Sequence, residues 1–194
     1  MKSTLLAAAF AAATATVSAT TAFAAPVKYD LDASHSQIVF SYVHQGYSTT
    51  YGMFSGFEGE IMFDADAPAA STVSVSFPVD TMLTGWEARF KHFMSEDFFG
   101  ASDDKDVSFK STAINVTGEA TAEITGDLTL NGMTKTVTLD AKLNQTGESR
   151  DGKPMLGFDA QTSILRSDYG LGKFVPYVGD EVSVMISLEA VAAE

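Results

Sequence analysis

Gly126-Asp127-Leu128-Thr129-Leu130-Asn131-Gly132-Met133-Thr134-Lys135-Thr136-Val137-Thr138-Leu139 reads as two alternating runs joined at Asn131-Gly132. That dipeptide suits a type I′ turn, whose two central residues both take positive φ, so the stretch predicts a β-hairpin with a two-residue loop. Counting outward from the turn sets the register. Leu130 faces Met133, Leu128 faces Lys135, Gly126 faces Val137 and Ile124 faces Leu139 on one side of the ribbon. Thr129/Thr134, Asp127/Thr136 and Thr125/Thr138 fill the other side. One face is apolar and one is wet, so the hairpin must lay its apolar face on something. One step further along, Glu123 meets Asp140, a like-charge pair expected to bulge or open the ladder.

The same period of two recurs along the chain. Ile38, Phe40, Tyr42 and His44 share one face of a strand starting near Ser36, and Phe57, Gly59, Ile61 and Phe63 share one face of the next. Val73, Val75, Phe77 and Val79 form a third set, in which Pro78 marks an edge, a bulge or an end. Val107 and Phe109 open a strand whose phase slips before Ile114 and Val116, which predicts a bulge near Thr112. Leu156 to Ile164 and Val182 to Leu188 supply two more, about eight strands in all with the hairpin. Thr84-Gly85-Trp86-Glu87 fits a capping box, with Trp86, Phe90, Phe93 and Met94 as the apolar stripe of a short helix over 84–94. Ser95-Glu96-Asp97 is placed to cap a further turn that buries Phe98 and Phe99. The fold class is therefore all-β: an antiparallel barrel of about eight strands with one short helical segment, a sandwich being the alternative. Such a barrel is filled by its own side chains, or holds one slender ligand where the lining is pruned. Composition does not decide between these.

Met1-Lys2-Ser3, an alanine-rich apolar run and Ala22-Phe23-Ala24 read as a signal peptide over residues 1–24, leaving a domain over 25–194. That domain, about 170 residues, is long enough for a sizeable core. The formal charge of −13 becomes one unit more negative when Lys2 leaves with the leader. Such a surface repels phosphates, so nucleic acid and anionic lipid headgroups are not expected partners. Nothing after the leader is long and apolar enough for stable membrane insertion. With no cysteine, neither a disulfide framework nor a thiolate metal site is available.

His35 and His44 are an odd interval apart and would face opposite sides of a regular strand, while His92 falls on the helix, so no metal site is expected. Asp103-Asp104-Lys105-Asp106 resembles a calcium loop only in charge. No nucleophile elbow or phosphate loop is present, and no catalytic residues or covalent cofactor are expected. Arg166 continues the inward phase of Phe158 and Ile164, which sets a guanidinium at the mouth of an apolar interior. It needs a partner there, either Asp168 or the polar head of a bound lipid. Arg89 and His92 could serve the same end, or form the solvent side of their helix.

Several segments, in this order and spacing, resemble the YceI-like family. They are Asp32-Ala33-Ser34-His35-Ser36, Gly52-Met53-Phe54, Phe57-Glu58-Gly59, Arg89 with His92, Ser95-Glu96-Asp97-Phe98-Phe99, Gly126 to Gly132, and Arg166-Ser167-Asp168-Tyr169-Gly170. The resemblance implies an extended lipocalin-like barrel in the bacterial periplasm that holds an isoprenoid lipid, of quinone or prenyl-phosphate type, without catalysis. Phe90 stands where relatives often carry an acidic residue, and Tyr169 where phenylalanine is common. On strand parity and the helix stripe, the lining of such a tunnel would be Phe40, Tyr42, Phe54, Phe57, Phe63, Phe90, Phe93 and Phe109, with Arg166 or His92 orienting the head. Each five-carbon unit of tail would contribute roughly 3 kcal/mol at most, at about 25 cal/mol per Å² of buried apolar surface. The alternative is a solid-cored, secreted interaction or stress-response module. Whether two copies pair as a homodimer is left open.

Overall fold

The computed structural model describes residues 25–101 and 106–194. The leader and residues Asp103, Asp104 and Lys105 of the acidic loop lie outside them. The strands are β1 (Val27–Leu31), β2 (Gln37–His44), β3 (Ser48–Ser55), β4 (Glu58–Phe63), β5 (Thr72–Pro78), β6 (Asp106–Val116), β7 (Thr121–Leu130), β8 (Met133–Glu148), β9 (Pro154–Leu165) and β10 (Glu181–Ala192). Among the described residues a single α-helix, α1 (Glu87–Phe93), lies between β5 and β6. Strands β1, β4, β5, β6, β7, β8, β9 and β10 pair in that order, and β10 returns to β1, which closes an antiparallel barrel. Closure leaves no free edge in the ring.

Periodicity counts a different eight: it includes β2 and passes over β1 and β3. Strand β1 is too short to display a period, having only Val27, Tyr29 and Leu31 on one phase. Strand β3 carries apolar residues on both faces, Gly52 and Phe54 inward, Tyr51 and Met53 outward, so alternation is erased. The β2–β3 hairpin stands outside the ring. Strands β1 and β2 lie end to end along β10, Tyr29–Leu31 facing Ala190–Ala192 and Gln37–Ser41 facing Ser183–Ser187. Beyond β2, the backbone of β3 bridges Leu83 at Met53.

The break between β1 and β2 is held by Asp32. Its Oδ1 accepts the Ser34 N–H and hydroxyl at 2.9 and 2.6 Å, Oδ2 lies 2.8 Å from His35 Nδ1, and its own N–H donates to the Glu189 carbonyl at 2.8 Å. The Ser34 hydroxyl first and His35 second hold the Asp32 carboxyl down at about 2, and the Asp32 carboxylate holds the His35 imidazole above its ordinary value. A depressed acid stabilises above its ordinary pKa and loses that as pH falls; a raised base stabilises below its own and loses it as pH rises. The pair is thus complete between 3.8 and 6.5 and weakens outside that window. In an NMR titration the His35 ring protons should show a midpoint above 6.5, and Asp32→Asn should bring that midpoint down.

The β7–β8 hairpin forms in the predicted register from Leu130↔Met133 to Ile124↔Leu139. Asn131 and Gly132 have φ of 54° and 73°, as a type I′ turn demands. On the wet face the hydroxyls of Thr129 and Thr134 meet at 2.8 Å and those of Thr125 and Thr138 at 3.2 Å, while Thr136 donates to Asp127 at 3.2 Å. The expected opening at Glu123 and Asp140 does not occur; they pair regularly. Both carboxylates are exposed, and Asn115 on β6 donates to Glu123 Oε2 at 3.1 Å, so water and an amide offset the repulsion. The slips lie elsewhere: at Ser111/Ala113, where the sequence predicts one, and at Leu143/Gln145 between β8 and β9. Gly126 has no room for a side chain. A Cβ there would stand 2.4 Å from the Phe109 ring and 2.6 Å from the Lys110 carbonyl oxygen. Gly126→Ala should therefore cost about 1–3 kcal/mol, read as a lower urea midpoint at unchanged slope.

The helix is shorter than the sequence predicts, and the capping box is not made. Gly85, at φ 72°, turns the chain so that the Thr84 hydroxyl donates to the Trp86 carbonyl at 2.9 Å, and Trp86 takes the N-cap position without a side-chain cap. The turn after it forms, but Phe98 and Phe99 are half-buried and not sealed as the sequence predicts. The Ser95 hydroxyl donates to the His92 carbonyl at 2.7 Å, its main-chain oxygen accepts from Phe98, and Phe98 and Phe99 reach the barrel interior. Pro78 ends β5.

Candidate functional site

The ring encloses a cavity of about 370 Å³ with an almost wholly apolar wall, a size typical of small-molecule pockets. In a solid barrel the inward residues at mid-strand would be sealed. Here Phe40, Val75, Leu128, Phe158 and Leu188 pack beside the core yet stay half-buried, because they look onto open space. The space exists because small residues take inward positions. Ala122, Ala141 and Ala160 lie in the wall, and Ala141 and Ala160 are direct cross-strand partners. Packing is tightest across β3, β4 and β5, where the Phe54 and Phe77 rings are 4.9 Å apart and those of Phe57 and Phe77 5.4 Å, all three buried.

Of the residues singled out in the sequence, Phe40, Tyr42, Phe54, Phe57, Phe63, Phe93, Phe109 and Arg166 lie in the wall. Phe90 and His92 do not. Helix α1 has only two turns, and it aims Phe93 inward while Phe90 packs against the surrounding core. His92 faces outward, its Nε2 lying 3.2 Å from Asp97 Oδ2 and its ring against Phe98 and Phe174 at 5.2 and 6.1 Å. Asp97 also receives Lys173, and these two partners, Lys173 foremost, lower its pKa. The aromatic list misses Phe98, Phe99 and Phe158, and with them the aliphatic part of the wall. Phe158 was legible from its inward phase on β9, as were the inward alanines.

Arg166 is paired with neither Asp168 nor an open mouth. Its guanidinium is buried among main-chain carbonyls: Nε donates to Gly179 at 2.8 Å, Nη1 to Leu171 and to Lys173 at 2.9 Å, and Nη2 to Val178 at 2.9 Å. Burial lowers its pKa, and the nearby Asp180 carboxylate opposes that. Four donors are thus spent on fastening the 171–179 loop over one barrel end. The β7–β8 turn fastens the same region from the other side, Asn131 Nδ2 donating to the Tyr169 carbonyl at 2.9 Å. Tyr169 is 1% exposed, its hydroxyl has no hydrogen-bond partner among the described residues, and burial pushes its pKa up to about 12.

The wall extends to both ends of the ring. At the end where β6 turns into β7 it includes exposed Pro68, Gly118 and Glu119; at the other it includes Phe93, Phe98, Leu171 and Val178. Among the described residues, the trio Asp32, His35 and Glu189 has metal-ligand chemistry, with donor atoms within 4.8 Å of one another, and it lies outside the cavity.

The closed antiparallel ring has counterparts among known proteins. The model of the YceI-like domain matches residues 29–190, nearly the whole described chain. The chain belongs to the YceI-like family. Protein YceI of Escherichia coli O157:H7 is 38% identical over 191 residues, 98% of each chain, and a UPF0312 protein of Ectopseudomonas mendocina is 38% identical over 170 residues, 88% of this chain and 89% of its own. Among solved structures, BcnA of Burkholderia cenocepacia superposes with a TM-score of 0.74 at 26% identity, covering 82% of this chain and 98% of its own. A polyisoprenoid binding domain from Saccharophagus degradans gives 0.66 at 13% identity over 86% and 99%, a likeness of fold. The YceI-like ring is thus shared at low identity.

Proposed function

We propose that this YceI-like barrel is a non-enzymatic, periplasmic carrier of an isoprenoid lipid of quinone or prenyl-phosphate type, held with its tail in the barrel interior. One observation carries the reading: the inward residues of a closed ring stay half-buried around an apolar cavity of about 370 Å³. Such a wall attracts apolar area and offers a chain of methyl-branched units no competing polar contact. Phe40, Tyr42, Phe54, Phe57, Phe63, Phe93 and Phe109 are the rings against which the tail packs. Affinity then grows with tail length, offset by the ordering of a flexible chain. Arg166 is the cation in the wall, but its donors are largely taken, so it orients a head rather than supplying the binding energy. The polyisoprenoid binding described for the Saccharophagus degradans domain supports the same choice of ligand. Among the described residues no helix is long and apolar enough to cross a membrane, and the apparent leader supports export.

The test is organic extraction of the purified protein followed by mass spectrometry, with uptake of an added prenylquinone as the second arm. A prenyl lipid near one per protein, or saturable uptake, is the expected result. Absence of both would leave the barrel an empty scaffold and sink the carrier reading.

A further inference from the structure

The five exposed aromatic side chains among the described residues, Tyr47, Tyr51, Trp86, Phe174 and Tyr177, gather at the barrel end that carries α1 and the 171–179 loop. Secondary structure places them together. Tyr47 sits in the β2–β3 turn, and His44 at the base of that turn bridges Val178, the neighbour of Tyr177. Tyr51 shares the outer face of β3 with Met53, which bridges Leu83, three residues before Trp86. Phe174 lies on His92 of α1 and on Phe98. Tyr47, Trp86 and Tyr177 are 90%, 64% and 77% exposed, far above what packing or solubility would favour for such rings. Phe174 is also held at φ 69°, a left-handed backbone that a bulky side chain adopts only under constraint.

These rings continue into the cavity. Phe174 and Phe98 are 6.1 Å apart, Phe98 and Phe93 5.7 Å, and Phe93 and Tyr42 6.3 Å, the last three being wall residues. An unbroken aromatic path thus leads from solvent, beneath α1, to the interior. Among the described residues the opposite end has no such aromatic rim; its exposed wall residues include Pro68, Thr72, Val116, Gly118, Glu119 and Thr121, with Asp66 on the same turn as Pro68.

We propose that this aromatic end docks onto the surface of a lipid bilayer, and that the carried lipid passes between bilayer and cavity along the path from Phe174 to Tyr42. The inference rests on the lipid-carrier reading and adds the partner from which the cargo comes. Tyrosine and tryptophan, with an apolar body and a polar tip, are the residues that settle at the membrane–water boundary. Tyr47, Trp86 and Tyr177 stand here on separate turns, as shallow anchors around a portal. The protein's charge of −13 makes a neutral or zwitterionic surface the fitting one, so attachment is apolar and not electrostatic.

Trp86 is the only tryptophan in the chain, so its fluorescence reports on the face directly. The purified protein is mixed with phosphatidylcholine vesicles, plain or with brominated acyl chains. The expected result is a blue shift of Trp86 emission, quenching by the brominated lipid and co-flotation with vesicles, none of it abolished by high salt. Tyr47→Ser with Tyr177→Ser, both surface changes, should weaken co-flotation by about tenfold while leaving the melting curve in place. No co-flotation at millimolar lipid, or co-flotation indifferent to that double change, overturns the proposal. So does a Trp86 shift that follows protein concentration without lipid, which would assign the rings to a second copy of this chain. Loading of a prenylquinone from detergent micelles is measured beside it. Docking without loading sinks the carrier reading alone, and loading without docking sinks the bilayer proposal alone.

Discussion

Replacing Ala160 with phenylalanine should leave the melting temperature unchanged or raise it, and should cut the affinity for a prenylquinone by about a hundredfold. Ala160 lies in the cavity wall, between Ala141 on β8 and Ile186 on β10. A phenyl group added there enters open space, where it buries apolar area without displacing protein. In a solid core the same change would overpack the interior and cost about 1–3 kcal/mol. The ligand meets the opposite situation. Filling the space of one five-carbon unit removes roughly 3 kcal/mol of burial, which sets the size of the affinity loss. Thermal melts followed by circular dichroism, with a prenylquinone titration on the same samples, check both halves. A destabilised Ala160→Phe protein would show that the barrel closes around its own side chains.

Arg166→Met should lower stability by about 3–5 kcal/mol, roughly 10 °C in melting temperature, without abolishing prenylquinone uptake below the transition. Arg166 is 8% exposed, and its guanidinium serves carbonyls from Leu171, Lys173, Val178 and Gly179. Methionine has similar length and no donor, so those carbonyls would lose their partner away from water. Arg166→Lys keeps the charge but replaces a planar fork with a point donor, and should recover only part of the loss. A role confined to binding the head predicts the reverse, with affinity following charge and stability little changed. An Arg166→Lys protein as stable as the parent would overturn the fastening role assigned to this residue.

The hairpin from Ile124 to Leu139 was legible to the residue, because its information is local: a two-residue turn, then side chains alternating by steric necessity. The like-charge pair shows where that logic stops. Glu123 and Asp140 were paired correctly, but their cost was judged without Asn115, which belongs to the next strand over. The closure of β1 on β10 was not legible, since it joins Tyr29 to Ala192 across nearly the full described chain through a few residues. Arg166 was correctly placed at the end of an inward phase, yet its partners are carbonyls, which carry no sequence signal. Phe90 is on the apolar stripe and His92 one turn from Arg89, yet the two-turn helix aims only Phe93 into the cavity.

The sequence by itself determined which residues of each strand face the same way, where the turns fall, that the surface is acidic, and that an apolar interior needs covering. Those follow from the period of a strand and the φ preferences of Asn131 and Gly132, which act within a few residues. Only the tertiary structure decided that the interior is hollow. The free volume depends on how far apart eight paired strands hold opposite walls, and on Ala122, Ala141 and Ala160 being brought together from β7, β8 and β9. The same alternating residues around a tighter ring would have met one another and left no room for a guest.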